Sequence, residues 1–110
     1  MMPLSSFFPL ELRRLLLCLG YSHDGIFMSR RYGDGEVSVS TVYYPLVYAS
    51  LHGGARVPVF CEDDPLSGLV KALKWMADHG CNDMDAETHY RILTGYGDGL
   101  LTADDITGAP

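Results

Sequence analysis

The stretch from Asp64 to Gly80 constrains the fold more than any other part of the chain. Asp64 can accept hydrogen bonds from the free N–H groups of a first helical turn. Pro65 suits the position just inside that turn, where it has no N–H to lose. Leu66, Leu69, Val70, Leu73, Met76 and Ala77 recur at helical spacing and share one side. Lys71, Lys74 and Asp78 fall largely on the other. Gly80 can end the helix in a left-handed conformation. A one-sided helix must lie on something, and the residues before it read as strands.

Glu36 to Tyr44 alternates cleanly. Val37, Val39, Thr41 and Tyr43 fall on one face; Ser38, Ser40, Val42 and Tyr44 fall on the other. Ile26 to Tyr32 reads as the preceding strand, joined through Tyr32-Gly33-Asp34-Gly35, where Asp-Gly supplies turn chemistry. Leu46–Leu51 and Arg56–Cys61 follow as third and fourth strands around a turn at His52–Ala55. Pro58 cannot donate to a ladder, so the fourth strand belongs at an edge. Ahead of the sheet, Leu12, Leu15, Leu16 and Leu19 form the stripe of a first helix. Ser5 or Ser6 caps it, Pro9 lies in its first turn and Gly20 stops it. After Gly80 the pattern predicts a helix capped by Asp83 or Asp85. It runs to about Thr94, with Met84, Tyr90, Ile92 and Leu93 inward and Gly95 at its end. Thr102-Ala103-Asp104-Asp105 reads as a capping box before one short turn. The expected architecture is a single α+β domain over residues 1–110. It has two layers: an antiparallel sheet of three or four strands, packed by the 65–79 helix, with an N-terminal helix and a short C-terminal helical segment.

Composition limits what such a domain does. The chain has 110 residues and a net charge of −6. Residues 1–57 balance at +1, whereas 58–110 carry −7. Direct nucleic-acid binding is disfavoured, because phosphates require a basic surface. The acidity suits either solubility or a protein partner with a basic surface. The apolar runs are far shorter than the ~20 residues of a membrane helix, so no membrane association is expected. Glu11, Arg13 and Arg14 interrupt the Leu-rich N-terminus, which argues against a signal peptide. Cys18, Cys61 and Cys81 lack paired spacing and read as reduced thiols of a cytoplasmic protein.

The segment Thr94–Asp105 resembles a calcium-binding EF-hand loop. Asp98-Gly99 matches positions five and six, Leu101 the apolar position eight, and Asp105 the acidic position twelve. Thr94 and Tyr96 stand where two acidic ligands belong, so the resemblance implies a turn without its metal. His79, Cys81 and His89 match no ligand spacing with an evident fourth donor. His79 suits a helix C-terminus better. Cys61 lies just before the 65–79 helix, but nothing in the sequence brings His23, His52 or His89 to it. There is no nucleophile elbow, phosphate loop or dinucleotide fingerprint, and no cofactor or metal is expected.

What remains is a surface. Tyr43, Tyr44 and Tyr48 cluster around the second and third strands, either filling the core or offering large contact area with a polar tip. The carboxylates Glu62, Asp63 and Asp64, then Asp83, Asp85 and Glu87, then Asp98, Asp104 and Asp105 would suit a basic partner. At 62–64 the dipole of the following helix is a sufficient reason for them. In size, charge and lack of catalytic motifs the chain resembles the small acidic proteins with which phages block host defence, anti-CRISPR proteins among them. That resemblance implies a non-catalytic inhibitor occupying a nucleic-acid-binding surface of its partner. The alternatives are a homo-oligomeric accessory protein, such as a homodimer paired through an edge strand, and a small Cys- or metal-dependent enzyme.

Overall fold

The structure, a computed structural model, describes residues 8–41, 46–59 and 64–108. It is an α+β fold in two layers. Helix α1 (Leu10–Cys18) leads into strands β1 (Ser22–Asp24), β2 (Phe27–Tyr32), β3 (Gly35–Ser40), β4 (Val47–Leu51) and β5 (Val57–Val59), followed by helices α2 (Pro65–Asp78), α3 (Met84–Gly97) and α4 (Ala103–Thr107). The strands form one antiparallel meander in the order β1-β2-β3-β4-β5.

The sheet has one strand more than the alternation predicts. β1 is three exposed residues, Ser22, His23 and Asp24, paired with Ser29, Met28 and Phe27. Gly25 turns the chain with φ +61°, so the second strand starts at Phe27 rather than Ile26. At the next hairpin Tyr32 faces Gly35, and the positive φ falls on Gly33, not on Asp34 or Gly35. Glycine at 35 serves packing instead. A Cβ there would lie 2.7 Å from Met76 Sδ and 3.2 Å from the Ser50 carbonyl oxygen. Pro58 stands opposite Tyr48 in β5, at the edge where a missing donor costs no ladder bond.

The core lies between the sheet and the helices. Met28, Tyr32, Val37, Val39, Val47 and Ala49 supply its sheet side. Leu12, Leu15 and Leu16 of α1, Leu69, Ala72, Leu73 and Met76 of α2, and Ala86 and Leu93 of α3 close over them. Each such large side chain contributes on the order of 1.5–3 kcal/mol by leaving water. The buried face of α2 is centred on Ala72, so Ala77 is exposed where the spacing predicts it inward. Asp64 caps α2, its Oδ1 accepting from Leu66 N at 3.0 Å.

Two further boundaries and the side of Met84 differ from expectation. Pro9 is the N-cap of α1, not part of its first turn, while Ser5 and Ser6 lie outside the described residues. α3 is capped by Asp83, with Ala86 N donating to Oδ1 at 3.0 Å, which leaves Met84 82% exposed instead of inward. The helix continues past Gly95 to Gly97, because a hydrogen there lets Leu101 pack against the helix; a Cβ would meet Leu101 Cδ1 at 3.0 Å. Among the described residues no helix is long and apolar enough to cross a membrane.

Candidate interaction groove between the helices

α2 and α3 run antiparallel. Leu66 at the start of α2 lies against Gly97 at the end of α3, and the two helices are joined through the short turn at 79–83. Their ridges do not close the seam completely. At the end formed by the last turns of α2 and the first of α3 lies a groove of about 350 Å³. Leu73, Ala77, Ala86 and Tyr90 provide its apolar lining, Met84 one lip, and Asp78, Asp83 and Glu87 its charge. Lys74 is the cation that lines it.

Asp78 and Glu87 are engaged only lightly, whereas Asp83 caps α3. Lys74 Nζ lies 3.8 Å from Asp78 and Arg91 2.6 Å from Glu87, both one helical turn apart and more than half exposed. Exposed pairs of this kind are worth about 0.3–0.5 kcal/mol, so an incoming cation displaces them at small cost. At the opposite end of the seam Asp64 and Asp98 line a second recess of about 290 Å³ with Lys71 and Thr94.

The structure therefore gathers some expected residues and separates others. Asp83 and Glu87 meet at the groove, together with Asp78. Asp85 turns to the sheet, its Oδ2 accepting from Arg30 Nη2 at 2.7 Å. That hydrogen bond and the guanidinium charge hold the Asp85 carboxyl below the usual range. Asp104 and Asp105 sit on α4, which packs on α1. Asp105 completes the capping box, accepting from Thr102 N at 2.8 Å while its own N–H donates to Thr102 Oγ1 at 3.1 Å. The EF-hand likeness ends here: residues 94–97 stay helical, and the Asp105 carboxylate is occupied by the cap. Tyr48 lies on the other side of the sheet, edge-on to Phe27 with ring centroids 6.3 Å apart. Tyr43, Tyr44, Cys61, Glu62 and Asp63 lie outside the described residues.

One buried cluster was invisible in the sequence. The Tyr32 hydroxyl lies 2.8 Å from that of Tyr21 and 2.8 Å from His89 Nδ1. Arg30 stacks 4.5 Å over the Tyr32 ring, and Cys81 Sγ donates to the Tyr32 carbonyl at 3.3 Å. Desolvation raises Tyr32 to about 12 and depresses His89. With Tyr32 fully buried and Tyr21 and His89 nearly so, the chain of hydroxyls and imidazole joins β2 to α3. His79 is turned away from Cys81 and His89 chemistry, with Nδ1 2.7 Å from the Trp75 carbonyl and its ring stacked on the indole at 4.4 Å. Among the described residues no group of three His, Cys, Asp or Glu side chains is placed to hold a metal ion.

The negative surplus is concentrated in the segment of the last three helices. Residues 64–108 carry eight acids against Lys71, Lys74 and Arg91, whereas residues 20–59 balance Asp24, Asp34 and Glu36 with Arg30, Arg31 and Arg56. No protein-family model matches the chain, and no curated protein or solved structure does.

Proposed function

We propose that the chain is a non-catalytic protein-binding module whose α2/α3 groove receives a basic segment of a partner protein. The groove itself carries this reading: a concave, partly apolar surface with three carboxylates around it and one lysine. Its acids would attract lysine or arginine side chains, while Met84 and Tyr90 would cover their aliphatic stems. Met84 is an adaptable apolar side chain left in water, as is common at surfaces that bind. A partner whose basic surface otherwise holds nucleic-acid phosphates fits this chemistry, and occupying that surface would inhibit it, as the likeness to small acidic phage inhibitors implies. The sheet edges favour this over strand-paired oligomers: β1 is three residues long, and β5 places Pro58 in its middle.

Affinity capture from a host lysate, at low and at high salt, tests the reading. The wild-type chain should retain a basic protein at low salt and release it at high salt. Asp78→Lys combined with Glu87→Lys, both at exposed positions, should abolish capture while the variant stays folded. Capture that survives both the salt and the charge reversal rejects the groove as the binding surface. Recovery of nothing under either condition rejects the function.

A further inference from the structure

The other face of the sheet holds a second cleft, of about 350 Å³, chemically unlike the groove. Register places Ser22, Ser29 and Arg31 on one face of β1 and β2, with Glu36 directly opposite Arg31. Arg56 reaches over this face, its guanidinium 5.4 Å from the centre of the Phe27 ring. Gly20 and Arg30 complete the cleft at its edge. Gly20 has φ +93°, and a Cβ there would come within 2.9 Å of Arg30 Nε, so glycine keeps that guanidinium in place. Arg30 is already committed to Asp85 and to the Arg31 carbonyl. Arg31 and Arg56 have no ion-pair partner among the described residues, although Asp24 and Glu36 line the same cleft.

We infer that this cleft binds a small phosphomonoester that also carries N–H donors, the chemistry of a nucleoside monophosphate. The guanidinium forks of Arg31 and Arg56, without an ion pair among the described residues, and the Ser22 hydroxyl supply donors that a phosphate group needs, while Ser29 Oγ donates to Ser38 Oγ at 3.0 Å. The cleft volume falls within the range of about 300–1,000 Å³ typical of small-molecule sites. The carboxylates set the second requirement. Asp24 and Glu36 repel a bare anion, but they accept from a ligand's amino or amide N–H groups. Phe27, edge-on to Tyr48, lies beneath the Arg56 guanidinium and steadies it over the cleft. The inference is independent of the α2/α3 groove, which lies on the helical side of the sheet.

Titration calorimetry of the full chain with guanosine 5′-monophosphate, inorganic phosphate and guanosine tests it. The nucleotide should bind with a dissociation constant below about 1 mM, and each of the other two more weakly. Arg31→Ala and Arg56→Ala, both at exposed positions, should each weaken the nucleotide by roughly tenfold to a hundredfold, the loss expected for a charge-assisted hydrogen bond. Glu36→Gln should strengthen inorganic phosphate and narrow its gap to the nucleotide. Asp78→Lys in the helical groove should leave nucleotide binding unchanged. No heat at millimolar nucleotide, affinity untouched by both arginine substitutions, or phosphate or guanosine binding as tightly as the nucleotide would each overturn the inference.

Discussion

The hydroxyl of Tyr32 and the imidazole Nδ1 of His89 are 2.8 Å apart across the sheet–helix boundary, with Tyr21 on the far side of the same hydroxyl. Tyr32→Phe removes the shared group and leaves both partners buried without it. A buried polar group deprived of its partner costs about 1–3 kcal/mol, and that loss of unfolding free energy is expected. Urea titration checks it: the midpoint should fall while the slope stays constant.

His89 also sets a pH dependence. Burial, helped by the charge of Arg30, lowers its pKa in the folded state, against smaller opposing effects of Asp85 and Asp83. The unfolded chain therefore binds the proton first, near the ordinary histidine value of 6.5. Stability is expected to be complete above that value, to fall as pH drops through it, and to level off below the folded pKa. A second loss follows at lower pH, as Asp85 and Asp105, held below 3.8 in the folded state, take up protons. Thermal melts from pH 7.5 to 3 should show both steps, and His89→Gln should remove the upper one.

Gly35→Val tests the contact between sheet and α2. The new side chain must displace Met76 and Leu51, and its Cβ presses on the Ser50 carbonyl. Overpacking of this kind costs about 1–3 kcal/mol. Adding Met76→Ala to Gly35→Val should recover part of it, as a double-mutant cycle would measure.

Leu73→Ala should be the more damaging change in α2. Leu73 is 1% exposed in the core cluster, and truncating a leucine there costs about 2–5 kcal/mol. Ala77→Ser, on the exposed side of the same helix, should change stability by less than about 0.5 kcal/mol. Equal effects in denaturant titrations would show that the two positions share one face after all.

How much of this was legible depends on which contacts made each element. α2 could be read because Asp64, Pro65 and its apolar stripe act within one segment, and β3 because Val37 and Val39 alternate. β1 could not: Ser22, His23 and Asp24 have no apolar face, and only their ladder to β2 makes them a strand. The length of α3 was hidden for a similar reason, since Gly95 looks like a stop until Leu101 packs against it. Of the candidate groove, Asp83 and Glu87 were visible as acids. Their meeting with Asp78 requires the antiparallel pairing of α2 and α3, and spacing alone, which puts Met84 inward, cannot say which side of a capped first turn faces the core. Tyr21, Tyr32 and His89 are spread along the chain, and no local pattern joins them.

The concentration of negative charge in the segment of the last three helices has a kinetic consequence. A molecule with its negative surplus on one flank is turned by the field of any positively charged body before the two touch. It arrives helices first, and the side bearing Arg31 and Arg56 stays turned toward solvent. For the basic partner proposed above, such steering would favour encounters at the helical side, and the effect fades as added electrolyte shortens the reach of that field.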